Sequence, residues 1–389
     1  MTEMVYGAVP ASRGEPILPN WWRTVDKWSL LAVIALMGIG LLLAMAASPP
    51  LAEKNGFEPF HYAYRQLFFG CLGLMAMLIT TMMSPLLVRR LAVIGFGIAL
   101  IAILFLPLFG TDFGKGAVRW YSLGFGSIQP SEFLKPGFVV VAAWLIAAST
   151  EVAGPPGRTV SFSLAIFICA VLAMQPDFGQ ASLVLFAWGV MYFTAGAPMA
   201  ILIGMAVMVV LAGAFAYNHS EHFARRIDGY LSADIDPTSQ LGYAANAIRE
   251  GGIFGVGVGE GRVKWSLPDA HTDFVIAVAA EEYGLILVML IIALYAVIVL
   301  RSLVRLMRER DPFIRLAGTG LACMFGIQAL INMSVAVRLM PAKGMTLPFV
   351  SYGGSSLIAG GIALGMLIAF TRSRPQGEIR DVFQREYLS

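Results

Sequence analysis

Charged side chains are scarce in this 389-residue chain, at 13%, where ordinary soluble domains carry about 25%. Cysteine is scarcer still: Cys71, Cys169 and Cys323 each stand alone inside an apolar run. That spacing excludes a disulfide framework and a thiolate metal site, and leaves the three as small hydrophobes in packed helices. Neither sign of charge dominates. The 27 Lys and Arg against 24 Asp and Glu leave a formal +3, too little to draw nucleic acid. What the chain has in quantity is apolar surface, at 58% of residues, against about 45–50% in soluble domains. No soluble fold hides that much, so the fold class is an all-α polytopic membrane protein.

Apolar runs near the length of about 20 residues that a bilayer core requires fall at 29–47, 66–83, 91–110, 137–148, 160–174, 181–195, 199–217, 274–300, 316–336 and 355–370. They define a bundle of ten spans over 29–372, between a polar tail (1–28) and a second tail (373–389). The first tail is too long for a typical signal-peptide leader region, so the first span is retained. Ten spans put both termini on one side. With that side cytoplasmic, the inner segments hold 15 of the 27 Lys and Arg, and the short cluster from Arg301 to Arg315 decides the orientation. The long connections, 110–131 and 218–272, then face outward.

Within 218–272, Asp236 and Pro237 read as the cap and first residue of a short helix that Gly251 stops. Leu241, Ala244, Ala245 and Ile248 would form its apolar face, and the helix would roof a cleft at the membrane surface. The glycine-rich run 251–261 follows no predicted strand, so a dinucleotide site is disfavoured. A turning backbone that closely approaches a substrate is the better reading.

Four outer clusters hold polar groups that a plain bundle does not need. Lys115 and Arg119 lead to Gln129-Pro130-Ser131-Glu132-Phe133-Leu134-Lys135-Pro136. If the fourth span starts near Ser131, Glu132 and Lys135 share a face; if it starts at Pro136, they do not. A structural ion pair is the bland alternative. Gln175-Pro176-Asp177-Phe178-Gly179-Gln180 forms a tight turn in which Asp177 caps the next helix or serves the site. His271-Thr272-Asp273-Phe274 puts a carboxylate at a helix mouth, which is costly unless it is paired, hydrated or functional. The fourth cluster runs from Arg338 through Pro341-Ala342-Lys343-Gly344-Met345-Thr346-Leu347-Pro348 to Ser351-Tyr352-Gly353-Gly354-Ser355-Ser356.

In order and loop placement, these four runs resemble the SEDS family, the shape, elongation, division and sporulation glycosyltransferases typified by FtsW and RodA. Lys343-Gly344-Met345-Thr346-Leu347-Pro348 looks like the FtsW division branch, from whose usual wording Ala342 and Met345 depart. The resemblance implies an enzyme, a peptidoglycan glycosyltransferase that polymerises lipid II at the division site of the cytoplasmic membrane. It also implies a class B penicillin-binding protein, the transpeptidase, as partner among other divisome proteins. The family's catalytic aspartate falls on Asp273, a base that takes the proton as the new bond forms. Lys115, Arg119, Lys135, Arg338 and Lys343 are the cations for the pyrophosphate, with Glu132, Asp177 and His271 beside them. No residue spacing builds a metal site, although a divalent ion, Mg or Mn, often accompanies two phosphates.

Two rivals use the same ten spans. A lipid II flippase needs a polar path through the bundle, and Glu281 and Glu282 are the only acids well inside a predicted span. A scaffold for the divisome needs no converging carboxylate and cations. The outer clustering of charge favours the polymerase.

Overall fold

The computed structural model describes residues 17–112, 118–124, 126–151, 154–219, 221–231, 239–267, 269–341 and 344–373. Ahead of the first span lies a short helix, α1 (Ile17–Thr24). The bundle follows as α2 (Lys27–Lys54), α3 (His61–Thr81), α4 (Pro85–Phe109), α5 (Pro130–Ala148), α6 (Gly157–Met174), α7 (Phe178–Thr194) and α8 (Met199–His219). The long connection carries α9 (Glu221–Leu231) and α10 (Gln240–Gly251), before α11 (Val275–Leu306), α12 (Pro312–Ala336) and α13 (Gly354–Phe370). Eight of these are long and apolar enough to cross a membrane, and α7 and α13 are shorter apolar helices. Together they account for the ten expected spans. A two-stranded ribbon, β1 (Tyr121–Ser122) with β2 (Ser127–Ile128), sits between α4 and α5.

Packing is uneven. Leu134, Phe138, Val139, Val140, Ala142 and Ala143 of α5 are fully enclosed, whereas α8 has no buried residue. Helices α3 and α13 approach closely: a Cβ added at Gly361 would collide with the Gly73 carbonyl oxygen. Small residues allow that backbone approach, which is how membrane helices gain contact without a hydrophobic driving force.

Two differences from the expected apolar runs bear on the site. Helix α5 begins at Pro130, not near 137, because proline is well suited to the first helical position. Helix α11 is not one continuous rod. Gly284 has φ 74° and ψ −172°, which breaks it into a segment of 275–283 and a second of about 22 residues, 285–306. At 1.5 Å per residue the second segment alone is about 33 Å long, enough to cross a bilayer. Glu281 and Glu282 therefore precede the continuous segment that is long enough to span.

The glycine run explains how the break is tolerated. Leu285 and Ile286 donate to the carbonyls of Gly252 and Ile253, while Val256 and Gly257 donate to those of Glu281 and Glu282. A Cβ at Gly255 or Gly284 would strike the facing backbone. The close approach expected of these glycines is thus made to α11. Ser239 caps α10, accepting from the Gly242 amide at 3.0 Å, and the expected cap, Asp236 with Pro237, lies outside the described residues. Ala244 and Ala247 are buried, and Gly251 abuts Ala280 of α11. The short helix is a buttress on the first half of α11.

Candidate functional site

Described residues of all four sequence clusters, Arg338 apart, gather at one end of the bundle, tied by side-chain amides. With α5 starting at Pro130, Glu132 and Lys135 do share a face, and their ion pair is 2.9 Å long. The pair is not the exposed one that the bland reading assumes: Glu132 is 6% exposed and Lys135 2%. Burial of an ion pair is repaid only when further hydrogen bonds complete it, and both ends have them. Gln180 Nε2 donates to Glu132 Oε1 at 2.7 Å, and Lys135 Nζ donates to Gln328 Oε1 at 3.3 Å. Gln328 Nε2 in turn donates to the Thr346 carbonyl at 3.1 Å.

One residue back along that segment, the Met345 carbonyl accepts from Asn332 Nδ2 at 2.6 Å, and the same nitrogen reaches the Asp273 carbonyl at 3.0 Å. A polar thread therefore runs from Gln180 through Glu132, Lys135 and Gln328 to the 344–346 segment and on to Asp273. Four of its neighbourhood's buried polar atoms, Ser131 Oγ, Gln180 Oε1, Asn332 Oδ1 and Thr346 Oγ1, have no protein partner. Such atoms are costly in a finished core and leave this polar region with hydrogen-bonding capacity that a water or a ligand can satisfy.

Asp273 sits in the turn just before α11, half-buried, with Phe274 as the capping residue. Its amide donates to the Asp269 carbonyl at 3.1 Å, and Asp269 has φ 55°. The Oδ2 atom lies against Gly344, where a Cβ would stand 3.7 Å away. Gly344 has φ 62°, a conformation that favours glycine. The turn is also held from the other side, because Tyr352 N donates to the His271 carbonyl at 2.9 Å.

Asp177 caps α7, accepting from Gln180 N at 3.4 Å, and also takes a hydrogen bond from Gln129 Nε2 at 3.3 Å. Burial pushes its carboxyl above the usual range, with the nearby Arg119 charge opposing. Arg119 itself donates to the carbonyls of Gln175 (2.9 Å) and Pro176 (2.6 Å), clamping the turn that presents Asp177. Arg338 lies elsewhere: its guanidinium donates to the Tyr230 carbonyl of α9 at 3.3 Å. The His271 ring packs against Tyr62 and Tyr352. Lys115 and Lys343 lie outside the described residues.

Sequence reasoning missed Gln328 and Asn332. Their signal was present: two amides four residues apart in an apolar run share a helix face, and polar groups in membrane helices usually find a partner or a task. It missed Lys264 as well, which pairs with Glu282. Glu281 Oε1 accepts from the Arg262 and Val263 amides at 2.6 and 2.8 Å. These two acids therefore pin the loop and are not lined along a path. Among the described residues, no group of three His, Cys, Asp or Glu side chains could hold one metal ion.

Beside the thread runs a groove of about 670 Å³ between α3, α4, α5 and α13. It extends from Tyr121 and Ile128 at the site end to Met83 and Val88 at the other, and its lining is almost wholly apolar.

A many-helix bundle of membrane-spanning length, with a buried polar network at one end and an apolar groove beside α5, defines a polytopic membrane protein. The chain belongs to the FtsW/RodA/SpoVE family of cell cycle proteins, whose model matches residues 27–376. It is 42% identical over 356 residues to a "Probable peptidoglycan glycosyltransferase FtsW" of Caulobacter vibrioides, covering 91% of each chain. A relative of the same name from Alkalilimnicola ehrlichii is 35% identical, with 92% of this chain and 95% of that one covered. Among solved structures, the chain is similar to RodA, the rod shape determining protein of Thermus thermophilus, with a TM-score of 0.66 and 26% identity over 91% and 99% of the two chains. It is also similar to a chain of a peptidoglycan synthase complex described as coordinating polymerization and crosslinking, with a TM-score of 0.74, 27% identity and coverage of 89% and 97%.

Proposed function

We propose that the protein polymerises lipid II into peptidoglycan glycan strands at the outer face of the cytoplasmic membrane during cell division. The observation that carries this reading is the thread joining Asp273 to the buried Lys135–Glu132 pair, next to a groove whose almost wholly apolar lining suits a prenyl chain. The relatives named as peptidoglycan glycosyltransferases support it. In the reaction, a sugar C4 hydroxyl forms a bond to an anomeric carbon while the bond from that carbon to the lipid pyrophosphate breaks. Asp273 takes the hydroxyl proton as the new bond forms. Lys135, together with Arg119 and the segments that carry Lys115 and Lys343, offsets the charge of the leaving pyrophosphate. A Mg or Mn ion, where one is used, arrives with the pyrophosphate as part of the substrate.

Both termini are cytoplasmic in this reading. In its support, Asp26, Arg301, Arg305 and Arg372 gather at the end opposite the polar network, where the basic cluster favours the inner side. The undecaprenyl chain lies in the α3–α4–α5–α13 groove. The partner is a class B penicillin-binding protein that crosslinks the product, as the synthase-complex neighbour suggests. The flippase alternative loses its best residues, since Glu281 and Glu282 hold the loop.

The test is strand formation from lipid II by the purified protein with its penicillin-binding partner in detergent. Polymer that depends on Asp273 supports the reading. Lipid II transport in liposomes without polymer overturns it.

A further inference from the structure

Five rings and one amide stand together beside the Asp273 turn, and apart from His271 none has been given a role above. Tyr62, His271 and Tyr352 come from three separate segments, yet their ring centroids lie 5.6–5.7 Å apart pairwise. His61 meets Tyr62 edge-on at 5.2 Å, and Phe57 stacks flat on His61 at 4.4 Å with an 11° interplanar angle. Asn55 Nδ2 donates to Tyr62 Oη at 2.8 Å. The inner rings are half-buried, whereas Phe57 is 50% and Phe60 42% exposed. The cluster thus steps from the Asp273 turn out into solvent along the α2–α3 connection.

We infer that this aromatic ramp is a binding subsite for the sugar rings of the glycan strand next to the reacting one. A pyranose ring has one face of C–H groups with slight positive charge, and an aromatic face carries negative charge density. Polar edges are needed around such a face for the sugar hydroxyls. Asn55 and the exposed acids Glu53, at the end of α2, and Glu58, on the connection, supply them. A membrane-interface belt would spread its rings around the bundle at lipid depth. These rings instead pack against one another, flat, tilted or edge-on, and end two residues from Asp273, which makes the ramp continuous with the proposed reaction centre. The inference rests on the polymerase reading for the identity of the sugar.

The experiment pairs two variants of the full chain. In Phe57→Trp, an indole replaces the outer ring. Adding a soluble β-1,4-linked N-acetylglucosamine tetramer should shift its emission in the difference spectrum against the unaltered protein. In Phe57→Ala/His61→Ala, strands made with the penicillin-binding partner should be about five- to tenfold shorter, the factor expected from about 1 kcal/mol of ring contact, at an unchanged melting temperature. Quenching of the new indole by brominated lipid, with no response to the sugar, would identify a lipid-facing ring and overturn the inference. Strands of unchanged length in the double variant would overturn it too. If the unaltered protein makes no strands but the indole responds to the sugar, the subsite stands and the polymerase reading is what fails.

Discussion

A single amide nitrogen of Asn332 holds the carbonyls of Asp273 and Met345, at 3.0 and 2.6 Å. This contact locks the turn that carries the proposed base to the segment that leads from Gly344 into Thr346. Asn332 is 2% exposed, so water cannot readily replace it. Asn332→Ala should cost about 1–3 kcal/mol from the unsatisfied carbonyls and lower polymerisation more than tenfold by loosening the Asp273 turn. Thermal melts and strand assays on one preparation check both numbers. A stability loss with full activity would separate the turn from the chemistry.

Asp273→Asn should remove strand synthesis while leaving folding and partner binding largely intact. The carbonyl that Asn332 grips belongs to the backbone and survives the change, and the amide keeps the shape of the carboxylate but accepts no proton as a base. Near-normal synthesis by a well-folded Asp273→Asn protein would falsify the assignment.

The Glu132–Lys135 pair calls for a design suited to buried charge. Removing one partner strands the other in the protein interior, at about 3–5 kcal/mol, so Lys135→Met alone should both melt early and fail to polymerise. The double variant Glu132→Gln/Lys135→Met removes the stranded charge and keeps the hydrogen bond from Gln180 satisfiable. It should regain most of the stability but not the activity. Recovery of both would leave the pair a purely structural role.

Much of this arrangement was legible in the residues. The ten spans follow from composition, and the four polar clusters stand out because apolar runs surround them. The start of α5 was not, since Pro130 and Pro136 are both acceptable near a helix start and only the tertiary fold chooses. Nor was the break at Gly284: glycine is common in membrane helices, and 274–300 reads as one apolar run. What fixes the break is the 251–261 loop, whose carbonyls and amides substitute for the missing helical ones. The pairing of Arg301 with Asp26, 275 positions apart, leaves no local trace, so Arg301 looked like a topology signal alone.

That pair gives a pH dependence. Burial alone would raise the Asp26 carboxyl, but hydrogen bonds from Arg301 and Ser29 and the charges of Arg305 and Arg301 outweigh it and hold the group below its ordinary value. A depressed carboxylate pKa contributes stability that is present above the unfolded value, about 3.9, and lost as pH falls through the folded value. Asp26→Asn should therefore lower the melting temperature of the detergent-solubilised protein at pH 7. Because both arginines are partly exposed, the cost should be about 1–2 kcal/mol. From about pH 4 downward the gap between variant and parent should narrow, closing once the pH is below the folded value. A gap that persists undiminished at that pH would mean that packing, and not charge, accounts for it.

The glycine run provides the sharpest contrast within one loop. Gly259 has φ 84° with open space around it, whereas Gly255 (φ 82°) and Gly284 (φ 74°) face backbone at colliding distance. Alanine at Gly259 should cost only the backbone strain of an L residue there, about 1 kcal/mol, with strand synthesis nearly unchanged. Alanine at Gly255 or Gly284 must in addition push apart the loop and the break in α11, and should release the 251–267 segment from Glu281 and Glu282. Hydrogen exchange reads this directly: the amides of Val256, Gly257, Arg262 and Val263 should lose protection together in Gly284→Ala and keep it in Gly259→Ala. Glu282→Gln tests the same clamp from its other side. It leaves Lys264 short of a charge partner, so it should lower the melting temperature yet retain measurable strand synthesis, since no proton path through this acid is required. Loss of synthesis in Glu282→Gln at full stability would instead mark the acid as part of the chemistry and revive the transport alternative.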